Sequence, residues 1–254
     1  MNKKIVMLLI MILSITCVVG CNSSKIKEDN KKAKEREEQK EKTKEKTDAS
    51  KFKEEYEELN GKKSESGKEI RTIEISSDNP FKYKEAKDIV NLMEKKESFI
   101  VYFGFNSCPW CRSMLSTLVS VAKDNNVNTI YYVDIKNIRD VKEVDKKGKV
   151  STTKEGSDDY YKLLDLFDNV LSDYKLTDSK DKEVDAKEKR IYAPNIISVI
   201  DGKPTKLTTG LSDKQDDGYM ELTDDMKKDM YESIEKVIKE YSNNNTSCNS
   251  KEKC

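Results

Sequence analysis

Histidine is absent from the 254 residues of this chain. That absence removes the usual zinc ligand, the usual general base and any cysteine–histidine protease arrangement. A surplus of either charge is absent too, with Lys and Arg totalling 48 and Asp and Glu 48. With no basic excess to neutralise phosphates, a nucleic-acid partner is excluded as an expectation. No nucleotide, flavin or metal motif is present, so any chemistry is expected to use the chain's own side chains and no cofactor. Long hydrophobic runs are scarce. The apolar run from Ile5 to Val19 is broken by Ser14, Thr16 and Cys17, and it falls short of the ~20 residues a membrane-spanning helix requires.

What is present is concentrated in one stretch, Phe99 to Arg112, which reads Phe-Ile-Val-Tyr-Phe-Gly-Phe-Asn-Ser-Cys-Pro-Trp-Cys-Arg. Phe99 to Phe105 is apolar or aromatic apart from Gly104, the pattern of a strand buried on both faces. Asn106 and Ser107 are helix-capping residue types. Met114, Leu115, Leu118, Val119 and Ala122 then recur at helical spacing. Pro109 falls in the first turn, whose amide has no intrahelical partner. A buried strand thus delivers Cys108 and Cys111 to a helix N-terminus.

That placement favours thiol–disulfide exchange. Only the thiolate attacks a disulfide, and the free amides and partial positive charge of a helix start favour the thiolate. Cys108 is expected at the open end as nucleophile, and Cys111, one turn inward, as the group that resolves the mixed disulfide. Two other readings of the pair stand beside this one. It could be a structural bridge, or it could join Cys248 and Cys254 in a four-cysteine zinc site. Trp110 has its own two readings. A lone tryptophan commonly fills a core, but between two active-site cysteines it would be half exposed and offer apolar contact to a substrate chain.

The N-terminal region describes export. Lys3 and Lys4, the short apolar run and the small residue Gly20 make residues 1–20 a secretory signal. Plain secretion and an uncleaved anchor are two readings of this segment, and both place the domain in a compartment where disulfides persist. Residues 21–68 are mainly Lys and Glu and read as a charged, flexible tether, with some transient helix between Asp48 and Leu59. A coiled coil is the alternative, although no heptad is sustained.

The folded domain is expected over residues 69–243. Ile70, Ile73 and Ile75 predict a first strand, Ser77 to Pro80 a turn and helix start, and Tyr83 to Met93 a helix. The strand at Phe99 and the helix at Pro109–Asp124 follow, then a strand over Thr129–Ile135 and an apolar helix from Tyr160 to Leu171. A hairpin is expected about Asp178–Asp181, then strands at Ile191–Ile200 and Lys206–Thr209 and a last helix from Thr223 to Tyr241. Residues 244–254 form a tail bearing Cys248 and Cys254.

This β-α-β-α-β-α-β-β-α order, with Cys-Pro-Trp-Cys after the second strand and Ala193-Pro194 opening the fourth, resembles the thioredoxin-like fold, an α/β class. Here an inserted segment precedes the proline-bearing strand. Val101 to Arg112, Ile130 to Ile135 and Arg190 to Pro194 further resemble bacteriocin transport accessory proteins, also called bacteriocin-maturation disulfide isomerases. The Gly20-Cys21 junction resembles the lipobox of bacterial lipoproteins, which implies a lipidated Cys21 and tethering to the cell membrane.

The thioredoxin resemblance implies a cis peptide before Pro194, with that proline lying against the cysteines and the Ala193 backbone open to an extended substrate. An ordinary trans proline at a strand start is the alternative. It implies an extracytoplasmic thiol–disulfide oxidoreductase with Cys108 and Cys111 catalytic. Pro109, Trp110, Ala193 and Pro194 would support the site. Protein thiols and disulfides would be its substrates, and a redox partner protein would recycle it. Two departures stand out. Tyr102 occupies the position of the family's buried aspartate, and Trp110 that of the histidine many oxidases carry. The competing function is an accessory or chaperone-like binding module that uses the bridge as a staple. Cys248 and Cys254 are expected to pair with each other or to act on partners in trans.

Overall fold

The computed structural model describes residues 46–249, with the backbone alone over 245–249. The signal segment, Cys21 and Cys254 lie outside the described residues. The described residues from Thr47 on belong to one compact unit.

Its first element is helix α1, Asp48–Glu57, capped by Thr47, whose hydroxyl accepts from the Ser50 amide. This corrects the expectation that the tether extends to residue 68. Ala49, Phe52 and Tyr56 fall on one side of the helix, and Phe52 and Tyr56 are fully buried. Phe52 stacks on Phe81 at 4.0 Å and on Tyr56 at 4.4 Å, and it meets Tyr132 edge-on at 4.9 Å. Burying two aromatic rings in a ready-made aromatic slot offsets the ordering cost that a Lys/Glu-rich composition suggested would dominate.

Ile73 and Ile75 are buried but belong to no strand. Their amides donate to Asn60 Oδ1 and Glu57 Oε1, so helix α1 takes the place of a neighbouring strand. The first strand, β1, is instead Phe81–Tyr83. Ser77–Pro80 is a bend leading into it, and helix α2 begins only at Ala86, spanning Ala86–Glu94.

The next elements are β2 (Phe99–Gly104), α3 (Pro109–Asp124) and β3 (Ile130–Asp134). The charged stretch after β3, which carried no predicted element, is a hairpin of β4 (Val141–Val144) and β5 (Val150–Lys154). Helix α4 covers Asp158–Phe167. The hairpin expected around Asp178 is β6 (Ser172–Thr177) with β7 (Glu183–Arg190). Then come β8 (Asn195–Ile200), β9 (Lys203–Thr208) and α5 (Asp224–Asn249). The last helix thus continues through Cys248, and the boundary expected at residue 243 is not a break.

Five strands form one mixed sheet in the order β1-β3-β2-β8-β9. β2 runs parallel to β3 and antiparallel to β8, and β8 runs antiparallel to β9. Along β2, alternate residues serve opposite faces, because side chains on a strand alternate. Ile100 and Tyr102 face α1, α3 and α5, with Leu115, Leu118 and Ile234. Phe99, Val101 and Phe103 face α2 and α4, with Ile89, Leu163 and Phe167. A strand covered on both sides must be apolar throughout, which is why the run at Phe99 stood out in the sequence.

Candidate active site

The antiparallel pairing of β2 with β8 determines where the chemistry sits. Phe103 is paired with Asn195, so the chain leaving β2 and the chain entering β8 emerge at the same edge of the sheet. The first leads through Gly104 to Cys108, and the second brings Ala193 and Pro194. These two segments, far apart in sequence, meet there: the Cys108 thiol donates to the Ala193 carbonyl at 3.3 Å. The Ala193–Pro194 peptide is cis. The carbonyl of Ala193 is thus engaged by the cysteine rather than open to an extended substrate.

Asn106 and Ser107 do not cap α3. Cys108 itself is the N-cap, in an extended conformation, and its sulfur accepts from the Cys111 amide at 3.3 Å. The Asn106 side chain instead donates to the Glu55 carbonyl at the end of α1. Pro109 occupies the first turn.

Both cysteines are free thiols and both are buried, Cys108 3% exposed and Cys111 0%. Cys108 is therefore not at the open end expected for it: both thiols are buried, and the Ala193 segment covers Cys108. Their electrostatics differ sharply. The Cys111 thiol as hydrogen-bond donor, then the amides of Cys111 and Trp110 and the charge of Arg139, hold Cys108 below the ordinary thiol value against the opposing effect of burial. Burial and the adjacent Cys108 push Cys111 well above it. The arrangement therefore gives one thiol that ionises readily and one that stays protonated, as stepwise disulfide exchange requires.

A cleft of about 380 Å³ is lined by Trp110, Tyr192, Ala193, Pro194, Leu211 and Gln215 among others, and by neither cysteine. Trp110 is half-buried and Pro194 buried. The loop after β9 closes the far wall. Gly218 packs so near Pro109 that an added Cβ would stand 2.9 Å from the proline ring, and Ser113 bridges the Trp110 carbonyl and Gln215. A larger cleft, about 710 Å³, lies among Lys51, Glu55, Tyr83 and Asp134.

All six residues expected at the site, Cys108, Pro109, Trp110, Cys111, Ala193 and Pro194, are brought together. Cys248 is placed on the last helix, away from the cleft. Three contributors were not legible beforehand. Arg139 acts from the turn after β3, Tyr56 enters the core beside the cysteines from α1, and Arg112, next to Cys111 on α3, donates to the Tyr56 carbonyl. No family model matches this chain, and no curated protein is significantly similar to it.

Proposed function

We propose that this chain is a thioredoxin-like thiol–disulfide oxidoreductase, acting outside the cytoplasm on protein thiols and disulfides and tethered to the membrane through a lipidated Cys21. The observation that carries the reading is the position of the Cys108 sulfur. It caps helix α3 at the Cys111 amide and donates to the carbonyl of Ala193, a residue that lines a cleft with Trp110 and Pro194. The sheet order and the β-α-β-α-β-α-β-β-α sequence of main-sheet elements and helices, with hairpins on either side of α4, support the fold assignment.

The exchange runs in two displacements. The Cys108 thiolate attacks one sulfur of a substrate disulfide, forming a mixed disulfide and releasing the other substrate sulfur as thiolate. Cys111 then attacks Cys108, forming the Cys108–Cys111 disulfide and releasing the second substrate thiol. The helix start stabilises the first thiolate, while Trp110 and Pro194 offer apolar contact to the polypeptide carrying the disulfide. A redox partner returns the pair to its starting state, and the same steps in reverse oxidise a dithiol. Potentials on such scaffolds span about −270 to −120 mV.

Reduction of insulin disulfides, followed by turbidity with wild type and Cys108→Ser, tests the reading. Activity is expected in the wild type and absent in the variant. Equal activity in the two would overturn it.

A further inference from the structure

The loop that carries Cys108 is flanked by different chemistry on its two sides. In the sheet, β3 and β8 lie on opposite sides of β2, and β3 runs parallel to β2. The turn after β3 and the segment entering β8 therefore approach the loop from opposite directions. On the β8 side lies the cleft of Trp110, Tyr192, Pro194 and Leu211, and the charge lining it is that of Asp213.

The β3 side is cationic. Lys136 and Arg139 both stand over the ring of Phe105, with Nζ of the first 6.0 Å from the ring centre and Cζ of the second 5.1 Å from it. Phe105 is tied to the nucleophile, since its carbonyl accepts from the Cys108 amide at 3.2 Å. Lys136 also donates to the hydroxyl of Ser107, the neighbour of Cys108, at 3.2 Å. The main chain holds the arrangement in place. Ile135 donates its amide to the Gly104 carbonyl at 3.1 Å, so the turn starts level with the end of β2.

Elsewhere on the surface lysines meet carboxylates, as Lys142 meets Glu188, Lys189 meets Asp173 and Lys214 meets Asp229. Among the described residues, neither Lys136 nor Arg139 has a carboxylate within ion-pair distance. Asp134 accepts from the Lys136 amide at 2.8 Å and offsets one of the two charges, which leaves a net positive patch. Lys136 is exposed, and Arg139 and Phe105 are half-buried, so all three are open to a second molecule.

We propose that this patch selects polypeptide substrates in which an Asp or Glu adjoins the disulfide-bonded cysteine, its carboxylate seated against Lys136 and Arg139 while apolar residues of the substrate enter the Trp110–Pro194 cleft. This selectivity rests on the exchange chemistry proposed above. A cation held over an aromatic face keeps its charge near the surface, and a substrate carboxylate drawn to it speeds the encounter with Cys108. Asp213 disfavours the reversed orientation, which would set two carboxylates together.

The test uses the full reduced chain and two short peptides, each dimerised through one cysteine and identical except for Glu or Lys beside it. Trp110 is the chain's single tryptophan and stands between the cysteines, so its fluorescence follows the first displacement. At low ionic strength the Glu peptide should react about fivefold faster than the Lys peptide. The ratio should shrink toward one at high salt, which screens exposed charges. Lys136→Gln combined with Arg139→Gln should bring it to about one at low salt as well. Arg139→Gln also alters the ionisation of Cys108, but that change slows both peptides alike and cancels in the ratio. Lys136→Gln alone, at an exposed position, should lower the ratio about twofold and carries the test should the double variant fail to fold. Equal rates for the two peptides in the wild type would overturn the proposal and leave the exchange reading intact. So would a ratio unaltered in the double variant, or in Lys136→Gln if only that variant folds. A wild type that attacks neither peptide would overturn the exchange reading and the proposal with it.

Discussion

The guanidinium of Arg112 donates to the main-chain carbonyl of Tyr56 at 2.8 Å, joining the residue after the second cysteine to the N-terminal helix. The same side chain donates to the Arg71 carbonyl through two nitrogens, to the Asn106 carbonyl and to Asn60 Oδ1. No carboxylate is among these partners. Arg112 acts as a five-donor clasp that holds α1, the segment after it and the Cys108 loop against α3. Arg112→Ala should lower unfolding free energy by about 3–5 kcal/mol, since several buried carbonyls lose their donors at ~1–3 kcal/mol each. Arg112→Lys should recover only part of this, because an ammonium cannot reproduce the planar fork. Urea unfolding of the three proteins measures both; a loss under about 1 kcal/mol in Arg112→Ala, the value of one ordinary hydrogen bond, would exclude the clasp.

The boundary of the domain follows from the same contacts. A chain beginning at Glu69 would lack Phe52 and Tyr56 and leave Phe81, Tyr102 and Tyr132 uncovered on one face of the sheet. It should be aggregation-prone, whereas a chain beginning at Thr47 should fold. In the full chain, Phe52→Ala should cost about 3–5 kcal/mol, as for other fully buried aromatics. Thermal melts and gel filtration distinguish the two boundaries.

That boundary also shows where sequence reasoning succeeds and where it stops. The strand at Phe99 and the helix at Pro109–Asp124 were legible, because β2 is apolar on both faces and the pair sits directly at its end; the meeting of the cysteines with Ala193–Pro194 was expected only from the resemblance to the thioredoxin-like fold. Helix was legible between Asp48 and Leu59 only as a transient element of the tether; its docking was not, because Phe52 and Tyr56 are dilute among lysines and glutamates, and their value depends on an aromatic slot formed by β1 and β3. Ile73 and Ile75 have strand character, yet they pair with side chains of Glu57 and Asn60, and no local pattern announces this. Cys108 displaced Asn106 and Ser107 as the cap because its sulfur, one position further on, meets the Cys111 amide. Arg139 came into play through the turn after β3, at a distance periodicity does not report.

The two thiols should titrate on opposite sides of the ordinary value of about 8.5. Alkylation of the reduced protein should label Cys108 first at neutral pH. The midpoint of its rate against pH should lie below that of a free thiol. Cys111→Ser should trap mixed disulfides through Cys108. In Cys111→Ala, which has no donor at that position, the Cys108 midpoint should rise, because the largest influence lowering it is gone. Arg139→Gln should raise it less. Preferential labelling of Cys111 would reverse the assignment.

Stability of the reduced protein should follow the same shifts. The raised folded value of Cys111 makes its contribution complete below about 8.5 and progressively lost at higher pH, as the unfolded thiol ionises first. The depressed folded value of Cys108 acts in the other direction. Its contribution is complete above about 8.5 and lost as pH falls through its folded value. Cys111→Ala should therefore flatten the alkaline decline in urea midpoint, and an unchanged slope would show that the buried thiol does not control it.

Membrane attachment is tested at Cys21, which lies outside the described residues. Cys21→Ala should release the protein from the membrane fraction or leave it unprocessed. A variant that is still processed and still partitions into detergent would overturn lipidation at this residue.

Cys248 and Cys254 invite the idea of a relay to the active site, and the last helix argues against it. Asp229 on α5 accepts from Ser212, which lines the cleft with Trp110 and Pro194, at 2.7 Å. Further along, Ser233 meets Thr208 and Glu240 pairs with Lys206, so the helix runs back along β9 away from the site. Cys248 stands nineteen residues beyond Asp229 on the same helix, about 28 Å along its axis at ~1.5 Å per residue. Even fully extended, the six residues from Cys248 to Cys254 span at most about 22 Å. Neither sulfur therefore reaches Cys108 of its own chain while the helix is intact. Replacing both by serine should leave the reduction potential of the Cys108–Cys111 couple unchanged when measured against a glutathione buffer. A disulfide between either residue and Cys108 within one monomer, detected by peptide mapping of the folded protein, would overturn this and require α5 to unwind over its last turns.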